Sequence, residues 1–176
     1  MLKNLKIEGV YIVHALQGYE IHEQRLNEIF SKMNVDHEFV TDGDISHFTP
    51  QLLAKYFCSG IQGKLSKGII SCTLNHILSY EKIVQRKNKY AVVFENDPFF
   101  LGDFLQNIKR VTKEADTLPP GFLISLENTT LRFPNFRKVK KGKYLYDAER
   151  GRAAGAYLID LKAAKDILEH LKTHKC

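Results

Sequence analysis

The sequence predicts an α/β sandwich, Rossmann-like, with helices covering both faces of a mostly parallel central sheet. Three observations predict it. Short β-branched and aromatic runs alternate with segments of helical periodicity along the whole chain. The run YAVVF at residues 90–94 is apolar without alternation, the pattern of a strand covered on both faces. The chain has 176 residues, 44% of them hydrophobic, which is the size of one domain and apolar enough to build a sizeable core.

The elements follow in order. Residues 10–15, VYIVHA, form the first predicted strand. Ile21, Leu26, Ile29, Phe30 and Met33 then recur at roughly helical spacing across residues 21–33. Residues 37–40 read as a second strand, stopped by the turn-forming TDGD of residues 41–44. Thr49 before Pro50 is an N-cap with proline at the first helical position, opening a helix through residues 51–57. The glycine-rich stretch at residues 59–68, SGIQGKLSKG, reads as an irregular, mobile loop.

Ser66 caps the next helix, whose apolar face runs through Ile69, Ile70, Thr73, Leu74, Ile77, Leu78, Tyr80, Ile83 and Val84. Basic residues close it at residues 86–89, as the helix dipole favours. YAVVF follows and runs out at two acidic residues, Glu95 and Asp97. Residues 104–111 are an amphipathic helix, and residues 121–126, GFLISL, a strand after Pro119 and Pro120. A basic run of Arg137, Lys138, Lys140, Lys141 and Lys143 precedes a strand at residues 144–146. A strand at residues 156–159, a cap at Asp160 and a closing helix complete the chain. No repeat or linker interrupts this order, so residues 1–176 are expected to be a single domain.

The formal charge of +6 is a moderate excess that favours an anionic partner. Nucleic acid is not the expected one, because no aromatic residues are interleaved with the charges and no reading helix is recognisable. Cys58, Cys72 and Cys176 are odd in number and form no C-x-x-C pair, which argues against a disulfide framework or zinc ribbon and for a reducing, cytoplasmic compartment. No signal-peptide pattern opens the chain, and no run approaches about 18 apolar residues. Work at a membrane would be peripheral, at its inner face, through the basic run at Arg137, Lys138, Lys140, Lys141 and Lys143; that run reads equally as a solvated hairpin tip.

Ligands of open α/β sheets sit outside the carboxyl ends of the strands, where Glu95 and Asp97 fall. Residues two apart in an extended chain share a side, so both carboxylates can face one point. Such oxygen donors, with substrate phosphates, hold Mg2+ or Mn2+. Acidic residues at a strand end are also often just solvated, and spacing alone leaves both readings open.

Residues 67–100 resemble glycosyltransferase family 25, which includes bacterial lipooligosaccharide galactosyltransferases. The family's Gly-Glu-(Ile/Val)-Gly-Cys-x-Leu-Ser-His segment is matched from Lys67 through Cys72, Leu74 and His76, and its Glu-Asp-Asp motif by Glu95, Asn96 and Asp97. Arg25, the turn Thr41-Asp42-Gly43, and the segment from Ala154 to Ile159 match further family positions in the same order. Asn96, Ser71 and Asn75 depart from the pattern, and family members generally continue beyond the final helix.

The resemblance implies a GT-A fold and inverting transfer of a hexose from a nucleotide-sugar donor, UDP-galactose by the family's example, to a lipooligosaccharide or other glycan acceptor. It implies a divalent metal, Mn2+ or Mg2+, at Asp97 and Glu95, and donor binding by Arg25, Asp42, His76, Glu95 and Asp97. Arg25 reads equally as a solvent-facing helix charge, and His76 as a satisfied core histidine. Cys72 reads as a small core residue. The general base is unassigned; Glu127 and Asp147 are candidates by their places at strand ends. The alternative is a catalytically inactive or truncated relative that binds a sugar nucleotide or partner without turnover, and an acceptor-side portion is expected to be missing. His170 and His174 are one helical turn apart with no third ligand in view.

Overall fold

The computed structural model describes residue 2 and residues 6–127, 135–148 and 154–176. Five strands, β1 (Ile7–Val13), β2 (Glu38–Val40), β3 (Tyr90–Glu95), β4 (Leu123–Ser125) and β5 (Ala156–Asp160), form one sheet in the order β2-β1-β3-β5-β4. β1 pairs in parallel with β2 and β3, while β5 pairs antiparallel with both β3 and β4. Four strands therefore run the same way, and their carboxyl ends share one edge with the start of β5.

Among the described residues four helices cover this sheet, α1 (Glu20–Lys32), α3 (Lys67–Arg86), α4 (Phe104–Ala115) and α5 (Leu161–Thr173), while α2 (Pro50–Tyr56) packs Leu53 and Tyr56 against α3. On one face Leu26 and Phe30 of α1 and Ile108 and Ala115 of α4 pack on Val10, Ile12, Val92, Phe94 and Leu158. On the other, Tyr80 and Ile83 of α3 and Ala163 and Ala164 of α5 pack on Tyr11, Val13, Ala91, Val93 and Tyr157. Successive β3 side chains thus enter opposite cores, which is why its sequence shows no polar alternation. Each fully buried aliphatic side chain contributes roughly 1.5–3 kcal/mol. The predicted caps are formed, Thr49 accepting from Leu52 N–H, Ser66 from Ile69 N–H and Asp160 from Ala163 N–H.

Several expectations are corrected. The strand expected at residues 144–146 is irregular, because Tyr144 N–H donates to the Glu114 carboxylate of α4 (2.7 Å) instead of to a sheet edge. The strand at residues 121–126 shortens to Leu123–Ser125. Residues 59–68 are not wholly irregular: a 3₁₀ turn, Ile61–Gly63, buries Ile61, and Cys58 N–H donates to the Cys176 carbonyl (2.7 Å). Ile21 and Ile69, assigned to apolar faces, are 81% and 52% exposed in the first turns of α1 and α3. Among the described residues no helix is long and apolar enough to cross a membrane.

Candidate functional site at the carboxyl edge

The chain leaves β1 for β2 on one side and later returns to β3 on the other, so the crevice between β1 and β3 is the topological switch point. His14, immediately after β1, and Asn96, immediately after β3, meet there, with Asn96 Nδ2 3.5 Å from His14 Nδ1. His14 is buried, with Nε2 3.4 Å from Glu23 Oε2; burial lowers its pKa, against the opposing pull of Glu23. Asn75 of α3 donates to the His14 carbonyl (3.1 Å) and accepts from Gly43 N–H (2.7 Å), tying the loops after β1 and β2 to one helix. Asp44 adds a second tie by accepting from Leu16 N–H (3.0 Å).

Glu95 is the last residue of β3, and its N–H donates to the Gly155 carbonyl (2.8 Å). Its side chain turns toward α3. Oε1 accepts from the Cys72 thiol at 3.7 Å and lies 3.5 Å from His76 Nε2. The latter approach is an electrostatic contact, since Nε2 has no hydrogen-bond partner. The facing imidazole nevertheless holds the Glu95 carboxyl below its ordinary range against burial, and the Cys72 thiol adds to this. Burial, then Glu95, pushes the Cys72 thiol up to about 11. His76 Nδ1 is bonded to Tyr157 Oη (2.8 Å), which donates onward to Tyr80 Oη (2.9 Å).

Glu127 follows β4 at the same edge. Burial and the neighbouring Glu95 charge raise its carboxyl pKa, while the Gly155 N–H opposes them. Asp97 stands exposed one residue past the bend at Asn96. Arg25 of α1 donates to the Pro98 carbonyl (3.0 Å) and lies over the Phe99 ring (5.3 Å), so it braces the loop leaving β3. Asp42, after β2, is exposed and paired with Lys82 (3.1 Å). Asp147 is exposed in the irregular segment 135–148, as are Arg137, Lys138, Lys140, Lys141 and Lys143. His170 and His174 stack at 4.3 Å.

The structure thus gathers Glu95 and His76 with Cys72, and brings Glu127 close to them. Cys72, His14, Asn75 and Tyr157 were not singled out from the sequence as site residues. The Cys72–His76 spacing of one helical turn was the available signal for the first, and the place of His14 as the first polar residue after an apolar strand for the second. Two hollows, of about 570 and 490 Å³, lie elsewhere: one against Tyr56, Glu81 and Leu168, the other at the opposite sheet edge by Tyr90 and Asp116. Polar groups converge at the carboxyl edge, so chemistry rather than concavity locates the site.

Fold and edge together define an open, Rossmann-like α/β protein with carboxylates gathered at its strand ends. Residues 11–176 match glycosyltransferase family 25 (LPS biosynthesis protein), and the chain belongs to that family. It is 27% identical over 180 residues to a Haemophilus influenzae (strain ATCC 51907 / DSM 11121 / KW20 / Rd) protein named "Putative glycosyltransferase". That match covers 93% of this chain and 61% of the relative, so the chain spans less than two thirds of that protein's length.

Proposed function

We propose that the carboxyl edge binds a nucleotide sugar and transfers its hexose, with inversion, to a glycan acceptor of the lipooligosaccharide type. UDP-galactose is the donor to try first. The observation that carries this reading is the acidic corner at the β1/β3 switch point, in a chain that belongs to a glycosyltransferase family.

Asp97, an exposed oxygen donor, and the second carboxylate oxygen of Glu95, besides the one turned to Cys72 and His76, would hold a Mn2+ or Mg2+ ion, although the bend at Asn96 ends the extended run that would put both on one side. Such an ion, when bound, would neutralise charge on the departing diphosphate. Arg25 acts by holding the loop at Pro98 and Phe99, and Asn96 and His14 form the floor of the crevice. Glu127, which follows β4 at the same edge as Glu95 and whose carboxyl pKa is raised by burial and the Glu95 charge, is better placed than Asp147 to take the acceptor hydroxyl's proton as that oxygen attacks the anomeric carbon. The exposed Arg137, Lys138, Lys140, Lys141 and Lys143 are suited to acceptor phosphates or anionic headgroups.

Titration of sugar nucleotides with and without Mn2+, in the wild-type chain and in Asp97→Ala, tests the reading. Metal-dependent affinity that falls at least tenfold in the variant is expected. Absence of metal-dependent affinity for every sugar nucleotide would refute it. One observation favours a second reading, binding without turnover: the family's middle acid is Asn96, here directed at His14, so the motif keeps two acids, and one of them, Glu95, turns an oxygen toward Cys72 and His76. Donor binding with neither transfer nor hydrolysis would select that alternative.

A further inference from the structure

We propose that Cys72, His76 and Glu95 form a zinc site that staples α3 to the end of β3, distinct from any ion held at Asp97. The three ligand atoms lie within 4.8 Å of one another. Cys72 Sγ is 3.7 Å and His76 Nε2 is 3.5 Å from the same Glu95 oxygen. Tetrahedral zinc, with bonds of about 2.3 Å to sulfur and about 2.0–2.2 Å to nitrogen and oxygen, needs ligand atoms about 3.3–3.6 Å apart. Two of the three edges thus lie close to these values before any ion enters, and the third, Cys72 Sγ to His76 Nε2, is within 4.8 Å.

The arrangement is set up locally. Cys72 and His76 are four residues apart on α3, so both point to one face, and that face meets the strand end carrying Glu95. The independent sign of a missing ligand is His76 itself. The residue is 8% exposed, and Nε2, buried and aimed at Glu95, has no hydrogen-bond partner. A buried polar atom left so is costly. Its other nitrogen is fixed by Tyr157, which can accept from Nδ1–H because it passes its own proton to Tyr80. Metal-bound histidines are commonly oriented in this way through their second nitrogen.

The donor set chooses the ion. Sulfur and imidazole nitrogen beside one carboxylate oxygen suit zinc and not magnesium or manganese, which favour all-oxygen sites. Three protein ligands leave the fourth position of a tetrahedral ion open. Binding displaces the thiol proton to solvent, leaving thiolate, neutral imidazole and carboxylate around the ion.

The test uses the full chain, stripped with chelator, and zinc alone, followed by calorimetry and by cobalt substitution. One zinc per chain is expected, with a rise in unfolding temperature, and the cobalt form should show thiolate-to-metal charge-transfer absorption. Cys72→Ser and His76→Gln should each weaken zinc binding at least tenfold, and Tyr157→Phe less. Asp97→Ala, the Cys58→Ser/Cys176→Ser pair and the His170→Gln/His174→Gln pair should leave it intact, which keeps this result separable from failure of the transferase reading. Absence of stoichiometric uptake, or uptake unchanged in Cys72→Ser, overturns the proposal. Should Cys72→Ser not fold by circular dichroism, the wild-type cobalt spectrum decides alone: no charge-transfer band means no thiolate ligand and no such site.

Discussion

Asn75→Leu isolates the tie between helix α3 and the two loops that open the crevice. The residue is 1% exposed, yet its side chain makes two hydrogen bonds, both to backbone: its amide donates to the His14 carbonyl (3.1 Å) and its oxygen accepts from Gly43 N–H (2.7 Å). Leucine keeps the branching at Cγ but puts larger methyl groups where the amide oxygen and nitrogen stood, so overpacking adds to the loss of partners for the two backbone groups. Each such loss costs about 1–3 kcal/mol, so the substitution should destabilise the chain by roughly 2–6 kcal/mol. At this chain length that corresponds to a fall in midpoint temperature of roughly 5–20 °C. Asn75→Asp keeps an acceptor for Gly43 but turns a second oxygen on the His14 carbonyl, and should be at least as damaging. Gly43→Ala attacks the same junction from the other side, since a Cβ there would lie 2.8 Å from both Asn75 Oδ1 and Leu74 Cγ. Urea denaturation with an unchanged m-value is the assay. A loss below about 0.5 kcal/mol for Asn75→Leu would show that water replaces both bonds, and would refute the view that Asn75 positions these loops.

Two further outcomes follow from the geometry. A Cβ at Gly155 would stand 2.6 Å from Glu127 Oε2, the end of a flexible side chain, so Gly155→Ala should displace Glu127 at little cost in stability. If Glu127 takes the acceptor proton, kcat should drop by about 10²-fold or more with donor affinity retained; unchanged kcat in a variant whose Glu127 has moved would remove it from that role. Stability should also decline in acid. Burial pulls the Glu38 carboxyl upward, but its bridges to Arg86 and Lys82 win and leave it below the ordinary range; Lys6 does the same for Asp116. Both folded pKa values are depressed, so their contribution is complete above about pH 4.5 and is lost as pH falls through the lower folded values. Glu38→Gln should flatten that acid limb in urea midpoints measured against pH, and an unaltered limb would show that the bridges contribute nothing.

The sheet was legible where side-chain pattern alone decides. YAVVF must be covered on both faces, and β3 is; Pro50 and Asp160 announce helix starts that the backbone obeys. Direction was not legible. The five residues of β5 read equally well up or down, and only pairing of Tyr90 with Asp160 and Phe94 with Ala156 makes the strand antiparallel. Residues 144–146 alternate like a strand, but their backbone is satisfied by a carboxylate on α4, thirty positions distant in the chain. Long-range partners of this kind leave no local trace.

The same limit explains the site. Arg25 carries a charge that any helix surface might carry, and its role depends on Pro98, 73 positions away. Glu95 and Asp97 were expected to share a side because extended residues two apart do, but β3 ends at Glu95 and the chain bends at Asn96, where that rule stops applying. Cys72 looked inert because its partner Glu95 is 23 positions on. What the sequence did carry is a polar stripe beside the apolar face of α3: Cys72, Asn75 and His76 at positions i, i+3 and i+4. Each engages a different part of the edge, Asn75 the loops after β1 and β2, Cys72 the end of β3, and His76 both that end and, through Tyr157, β5. An amphipathic helix needs no polar residues on its buried face, and here all three are engaged in tying four strand ends together.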